Sequence, residues 1–117
     1  MDREEVLEAL KKVYDPEYPL SVIDLKIVEP DDVTFEGDRV KVSFKPTTPY
    51  CPMGGVIGII IKYALEKKFK REFDVSVKAG THIQESMLNE VLRDKKKYGE
   101  MLKKIEDSGL LKSCVAL

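Results

Sequence analysis

Residues 39–69 read RVKVSFKPTTPYCPMGGVIGIIIKYALEKKF. Their reading decides the fold. Val40, Val42 and Phe44 alternate with Arg39, Lys41, Ser43 and Lys45, the period-two pattern of a half-buried strand. At Pro46 the chemistry changes. Pro46, Pro49 and Pro52, followed by Gly54 and Gly55, describe a loop. From about Met53 to Phe69 a helix follows. Its first half, Val56 to Ile61, is apolar nearly all round and must be deeply packed. Lys62, Glu66, Lys67 and Lys68 return it to the surface.

Upstream, Asp2 with Glu5 three residues on is a helix-capping pair. Val6, Leu7, Leu10 and Val13 recur at helical spacing, and Pro16 predicts an end near Tyr14. Asp15-Pro16-Glu17-Tyr18-Pro19 reads as a turn, and Ser21 to Ile27 as a compact connector. Val28, Val33 and Phe35 suggest a strand broken at Pro30, and Glu36-Gly37-Asp38 a hairpin turn. Downstream, Phe73, Val75 and Val77 make a third strand. Thr81 is placed to cap a third helix through Met87, Leu88, Val91 and Leu92. After Asp94 a fourth helix carries Tyr98, Met101, Leu102 and Ile105. Gly109 ends it, and Leu110-Leu111 begin a short tail. The order α-β-β-α-β-α-α predicts an α+β two-layer sandwich with a small mixed three-stranded sheet, as one domain over residues 1–117.

Acidic and basic residues nearly cancel, leaving a net charge of −1. That argues against nucleic acid, which needs a basic surplus on one face. The Lys95-Lys96-Lys97 run reads as a solvated helix face. Two distant cysteines, Cys51 and Cys114, are too few for a secreted domain of this size. No apolar stretch is long enough to span a membrane. The expectation is a soluble cytoplasmic protein. Lysine far above arginine, with Gln84 and Asn89 as the sole side-chain amides, matches a thermophile composition.

Cys51 precedes Pro52, a residue favoured at the first position of a helix. At such an N-cap the helix dipole stabilises a thiolate. Cysteine pKa values there fall to about 3.5–7.5, against about 8.5 when free. A thiolate ligates soft metals or attacks electrophiles. A buried cysteine acting as a small hydrophobe is the alternative. His82, the only histidine, lies three residues before Glu85. The pair can face one side of a first helical turn, to bind metal with Cys51 or simply to cap the turn. Asp15 and Glu17 flank Pro16 and either act chemically or order the turn. Thr47 and Thr48 offer hydroxyls to the loop. Cys114-Val115-Ala116-Leu117 matches a prenylation box in form, though a packed or frayed tail cysteine is the plainer reading. One histidine and two distant cysteines cannot close a four-ligand N/S site within one chain.

Asp15-Pro16-Glu17, Thr47 to Cys51-Pro52, Gly80-Thr81-His82 with Glu85, Asn89, Asp94-Lys95, and Leu110-Leu111 before Cys114 together resemble the SufT/PaaD-like iron–sulfur assembly family. The likeness is nearest to the targeting subunits of the cytosolic iron–sulfur assembly machinery, the MIP18 type. It implies a non-enzymatic adaptor or carrier in cluster assembly, with Cys51 as the reactive thiolate. It also implies a transient iron–sulfur cluster, iron or zinc as cargo. Assembly proteins and client apoproteins would be partners, and homodimers are implied by eukaryotic members. Asp15, Glu17, Thr47, Thr48 and Pro52 form the family's loop and acidic motif. Two features depart from the pattern. Tyr50 stands where many eukaryotic members have histidine, and the tryptophan motif of many bacterial members is absent. Two other functions fit the residues: a structural protein–protein interaction module with an inert Cys51, and an enzyme using Cys51 as nucleophile and His82 as base.

Overall fold

The computed structural model describes residues 2–15, 20–46 and 54–115. Cys51, Glu17, Thr47, Thr48 and Pro52 lie outside the described residues. Helix α1 is Arg3–Leu10, capped by the Asp2 carboxylate, which accepts the Glu5 N–H at 2.9 Å. A 3-10 turn, Pro30–Asp32, precedes strand β1, Val33–Glu36. Strand β2 is Arg39–Phe44, helix α2 Gly54–Phe69 and strand β3 Asp74–Val77. Helices α3, α4 and α5 are Glu85–Arg93, Lys95–Asp107 and Leu110–Cys114.

The sheet has the order β1-β2-β3 and is mixed. β1 and β2 run antiparallel, with Val33 opposite Val42 and Phe35 opposite Val40, across a turn in which Gly37 takes φ +59°. β2 and β3 run parallel, with Val42 opposite Val75 and Phe44 opposite Val77. Parallel neighbours require a crossover, and α2 supplies it. Every inward position of β2 and β3 is buried, whereas Lys41, Ser43, Asp74 and Ser76 share the opposite, polar face. Ile57, Ile59, Ile60, Ile61, Ala64 and Leu65 of α2 are buried almost completely. Each large aliphatic among them is worth about 1.5–3 kcal/mol relative to exposure. Gly58 faces Phe44: a Cβ built there would lie 2.7 Å from the ring. The missing side chain is what lets α2 settle onto the sheet.

The α+β class and the element order agree with the sequence reading, and four boundaries differ from it. The first helix stops at Leu10, short of Tyr14. Val13 and Tyr14 instead bridge Val115 and Ser21, because tertiary backbone partners outbid one more helical turn. The strand expected from Val28 begins only at Val33, since Pro30 opens the 3-10 turn. The third helix starts at Glu85, with no side-chain cap; Thr81 spends its hydroxyl on the Lys78 carbonyl at 2.6 Å. The tail after Gly109 is helical through Cys114, Gly109 turning the chain at φ +84°.

Candidate functional site

Parallel strands send their carboxyl ends to the same edge of a sheet, where open α/β sheets bind ligands. Here those ends are tied together. The Lys78 N–H donates to the Phe44 carbonyl at 2.8 Å, and the Lys45 N–H donates to the Ile27 carbonyl at 2.8 Å. Lys78 also pairs with the buried Asp32 carboxylate at 2.9 Å, and Asp32 accepts the Glu29 N–H at 3.0 Å. The hydrogen bond and charge of Asp32 push the Lys78 pKa up. Asp32 and Lys78 are supports that sequence reading missed. They are distant in sequence and belong to no motif, so only the fold pairs them.

Residues 78–84 follow β3 at this edge. The segment 47–53, which contains Cys51, joins Pro46 just beyond the carboxyl end of β2 to Gly54, where α2 begins. The two loops therefore leave from paired neighbouring strands. Gly80, at φ +77°, donates its N–H to the Glu85 carboxylate at 2.7 Å. His82 is buried at 8% exposure. Its Nδ1 accepts the Gln84 N–H at 3.0 Å, and its carbonyl accepts the Glu85 N–H at 3.3 Å. In the neutral ring the proton then sits on Nε2, so His82 presents an N–H donor rather than a second lone pair. Asn89 Oδ1 accepts the Val77 N–H at 2.7 Å and so ties α3 to β3.

His82 and Glu85 thus share one loop, and both use polar atoms to hold its backbone. Among the described residues no group of three His, Cys, Asp or Glu side chains is placed to hold a metal. A metal site using His82 and Glu85 needs a ligand from outside the described residues or from a second chain, and His82 would have to give up the Gln84 N–H or move its proton.

Of the acidic turn, Asp15 alone is among the described residues. Asp15 is buried at 5% exposure, and its N–H donates to the Leu20 carbonyl at 3.0 Å. The preceding Tyr14 N–H donates to the Cys114 carbonyl at 2.7 Å. Cys114 is itself buried, and burial, then the nearby Asp15 charge, pushes its thiol pKa up. A protonated, enclosed thiol is a poor nucleophile and a poor ligand. Of the packed and frayed alternatives for Cys114, the structure shows the packed one.

Comparison with known proteins adds an independent line. Residues 3–79 match the model of the iron-sulfur cluster assembly protein family. A MIP18 family protein of Schizosaccharomyces pombe is 38% identical over 83% of this chain, which spans 58% of that protein's length. Cytosolic iron-sulfur assembly component 2B of Mus musculus is 31% identical over 99% of this chain and 74% of its own length. A crystal structure of a domain of unknown function, DUF59, from Bacillus anthracis superposes with TM-score 0.60 at 20% identity, covering 85% of this chain and 90% of that one. That likeness shows the fold. With two-thirds of its length matched by the family model and these relatives aligned over 83–99% of the sequence, the chain belongs to the iron-sulfur cluster assembly protein family, of the MIP18 type.

Proposed function

We propose that this protein is a non-enzymatic adaptor or carrier that helps deliver iron–sulfur clusters to client proteins, with Cys51 as the thiolate that handles the cluster. The observation that carries this reading is the tie between the carboxyl ends of β2 and β3, from which the Cys51 and His82 loops depart. The enclosure of Cys114 adds to it, since only Cys51 is then left as a reactive sulfur. His82, its Nδ1 held by the Gln84 N–H, belongs to the same proposed site. Glu85 holds the loop that carries His82, and Asp15, Glu17, Thr47, Thr48 and Pro52 belong to the same proposed site.

The cluster, or a single iron or zinc ion, is cargo on this reading. With so few donors, its remaining ligands come from a client, an assembly partner or a second copy in a homodimer. The names of the relatives point to the cytosol as the place of action. Among the described residues no helix is long and apolar enough to cross a membrane. A role as an enzyme with His82 as base finds less support, because Nδ1 already accepts a backbone N–H.

The test is a Cys51→Ala variant that keeps its circular dichroism spectrum. Client maturation should be lost, and anaerobic reconstitution with iron and sulfide should lose its visible absorption. Normal client activity in that variant would remove the role given to Cys51. A thiol titrating at or above the free-cysteine value would instead make the chain a structural interaction module.

A further inference from the structure

Only four of the 20 basic residues are arginines: Arg3, Arg39, Arg71 and Arg93. Three of them line a single pocket of about 530 Å³. It lies at the amino ends of β2 and β3, the opposite end of the sheet from the His82 loop. Its walls come from the start of both strands, the last turns of α2 and α3, and the first turn of α4. Val40, Phe73, Leu92 and Tyr98 contribute apolar surface.

The charges around this pocket do not cancel. Lys62 is committed: its Nζ donates to Glu66 and to the Phe73 carbonyl, each at 2.6 Å, and lies 5.3 Å from the centre of the Tyr98 ring. Lys95 pairs with Glu72 at 3.5 Å. The guanidiniums are different. Arg71 donates to the Asp38 backbone carbonyl, and Arg93 to the Asn89 carbonyl at 3.3 Å, both neutral acceptors. Among the described residues every ion pair within 4.0 Å uses a lysine; none engages an arginine. Three guanidiniums therefore remain in the pocket against two carboxylates, Asp38 and Asp74.

A guanidinium offers a planar fork of donors that fits carboxylate and phosphate oxygens two at a time. A cavity of this size suits a small molecule. We propose that this pocket binds a small, multiply charged oxyanion, phosphate or carboxylate, through Arg39, Arg71 and Arg93. The site is separate from the cluster-handling end and independent of the role of Cys51.

Isothermal titration calorimetry of the full chain at low ionic strength tests it, with tripolyphosphate and citrate as probes. Saturable one-to-one binding of either probe is expected, and which one binds names the head group. Arg71→Gln and Arg93→Gln should each weaken it at least tenfold, with Arg93→Lys in between and Lys96→Gln, outside the pocket, unchanged. Backbone NMR shifts on wild-type protein should cluster at residues 38–40, 71–74 and 92–95. No saturable heat with either probe, equal affinity in the arginine variants, or shifts confined to the His82 loop would each overturn the assignment.

Discussion

The Gly80 N–H donates to the Glu85 carboxylate at 2.7 Å and closes a loop that carries His82 between them. A bond to a charged acceptor of this kind contributes about 1.5–3 kcal/mol, and partial exposure of Glu85 puts it toward the lower end. Glu85→Ala should therefore destabilise the fold by about 1–2 kcal/mol. It should also speed amide exchange at Gly80 and Gln84 ahead of the core. Glu85→Gln, which keeps an acceptor oxygen, should lose less. Exchange at Gly80 unchanged in the alanine variant would show that the bond does not hold the loop.

Gly58 is the contact point of α2 on β2. An alanine Cβ there would meet Phe44 ring atoms at 2.7 and 2.8 Å and Leu92 at 3.1 Å. Overpacking of this kind costs about 1–3 kcal/mol, which outweighs the helix-propensity gain of up to about 1 kcal/mol. Urea denaturation should show Gly58→Ala to be the less stable protein. Adding Phe44→Leu should recover part of the loss, since the two changes share one space.

Lys62 and Glu66 form a pair whose side chains are only 14% and 26% exposed. Glu66 also accepts the Phe73 N–H at 3.1 Å, so the pair fastens the turn between α2 and β3. Lys62→Met removes the cation and leaves a half-buried carboxylate, a loss of about 2–3 kcal/mol. The double variant Lys62→Met with Glu66→Gln should be more stable than Lys62→Met alone, as a thermal-unfolding comparison would show.

Cys114 sets a pH dependence. Burial raises its thiol pKa, so the folded chain holds that proton more tightly than the unfolded chain. The unfolded thiol ionises from about pH 8.5. Stability is therefore fully present below that point and declines as pH rises, until the folded thiol also ionises. Tyr98 acts in the same sense from about pH 10, because burial first, then the Glu66 charge and Tyr63, raises its pKa. Denaturation curves from pH 8 to 10 should slope less in Cys114→Ala than in wild type. Equal slopes would assign the alkaline loss elsewhere.

Two thiols in one chain also permit a direct contrast. Iodoacetamide should modify native Cys51 far faster than native Cys114, and the two rates should converge in denaturant. Comparable native rates would contradict the enclosure of Cys114.

The sequence alone determined the class of fold and the chemistry on offer. Period-two alternation in residues 40–44, an all-apolar helical run at 56–61 and Asp2, which caps α1 by accepting the Glu5 N–H, are local signals. Local signals survive because backbone geometry and burial dictate them residue by residue. Asp15, Cys51, His82 and Glu85 were named as a set from their residue types and from the resemblance to a known family, and their shared role is a proposal. Tertiary structure alone decided the surroundings of the described residues. It made β2 and β3 parallel, and so brought the flanks of the Cys51 loop and the His82 loop to one sheet edge. It also turned His82 Nδ1 onto a backbone N–H, buried Cys114 beside Asp15, joined Asp32 to Lys78, and gathered three scattered arginines around one cavity. Such contacts link positions far apart in the chain, and no local pattern encodes them.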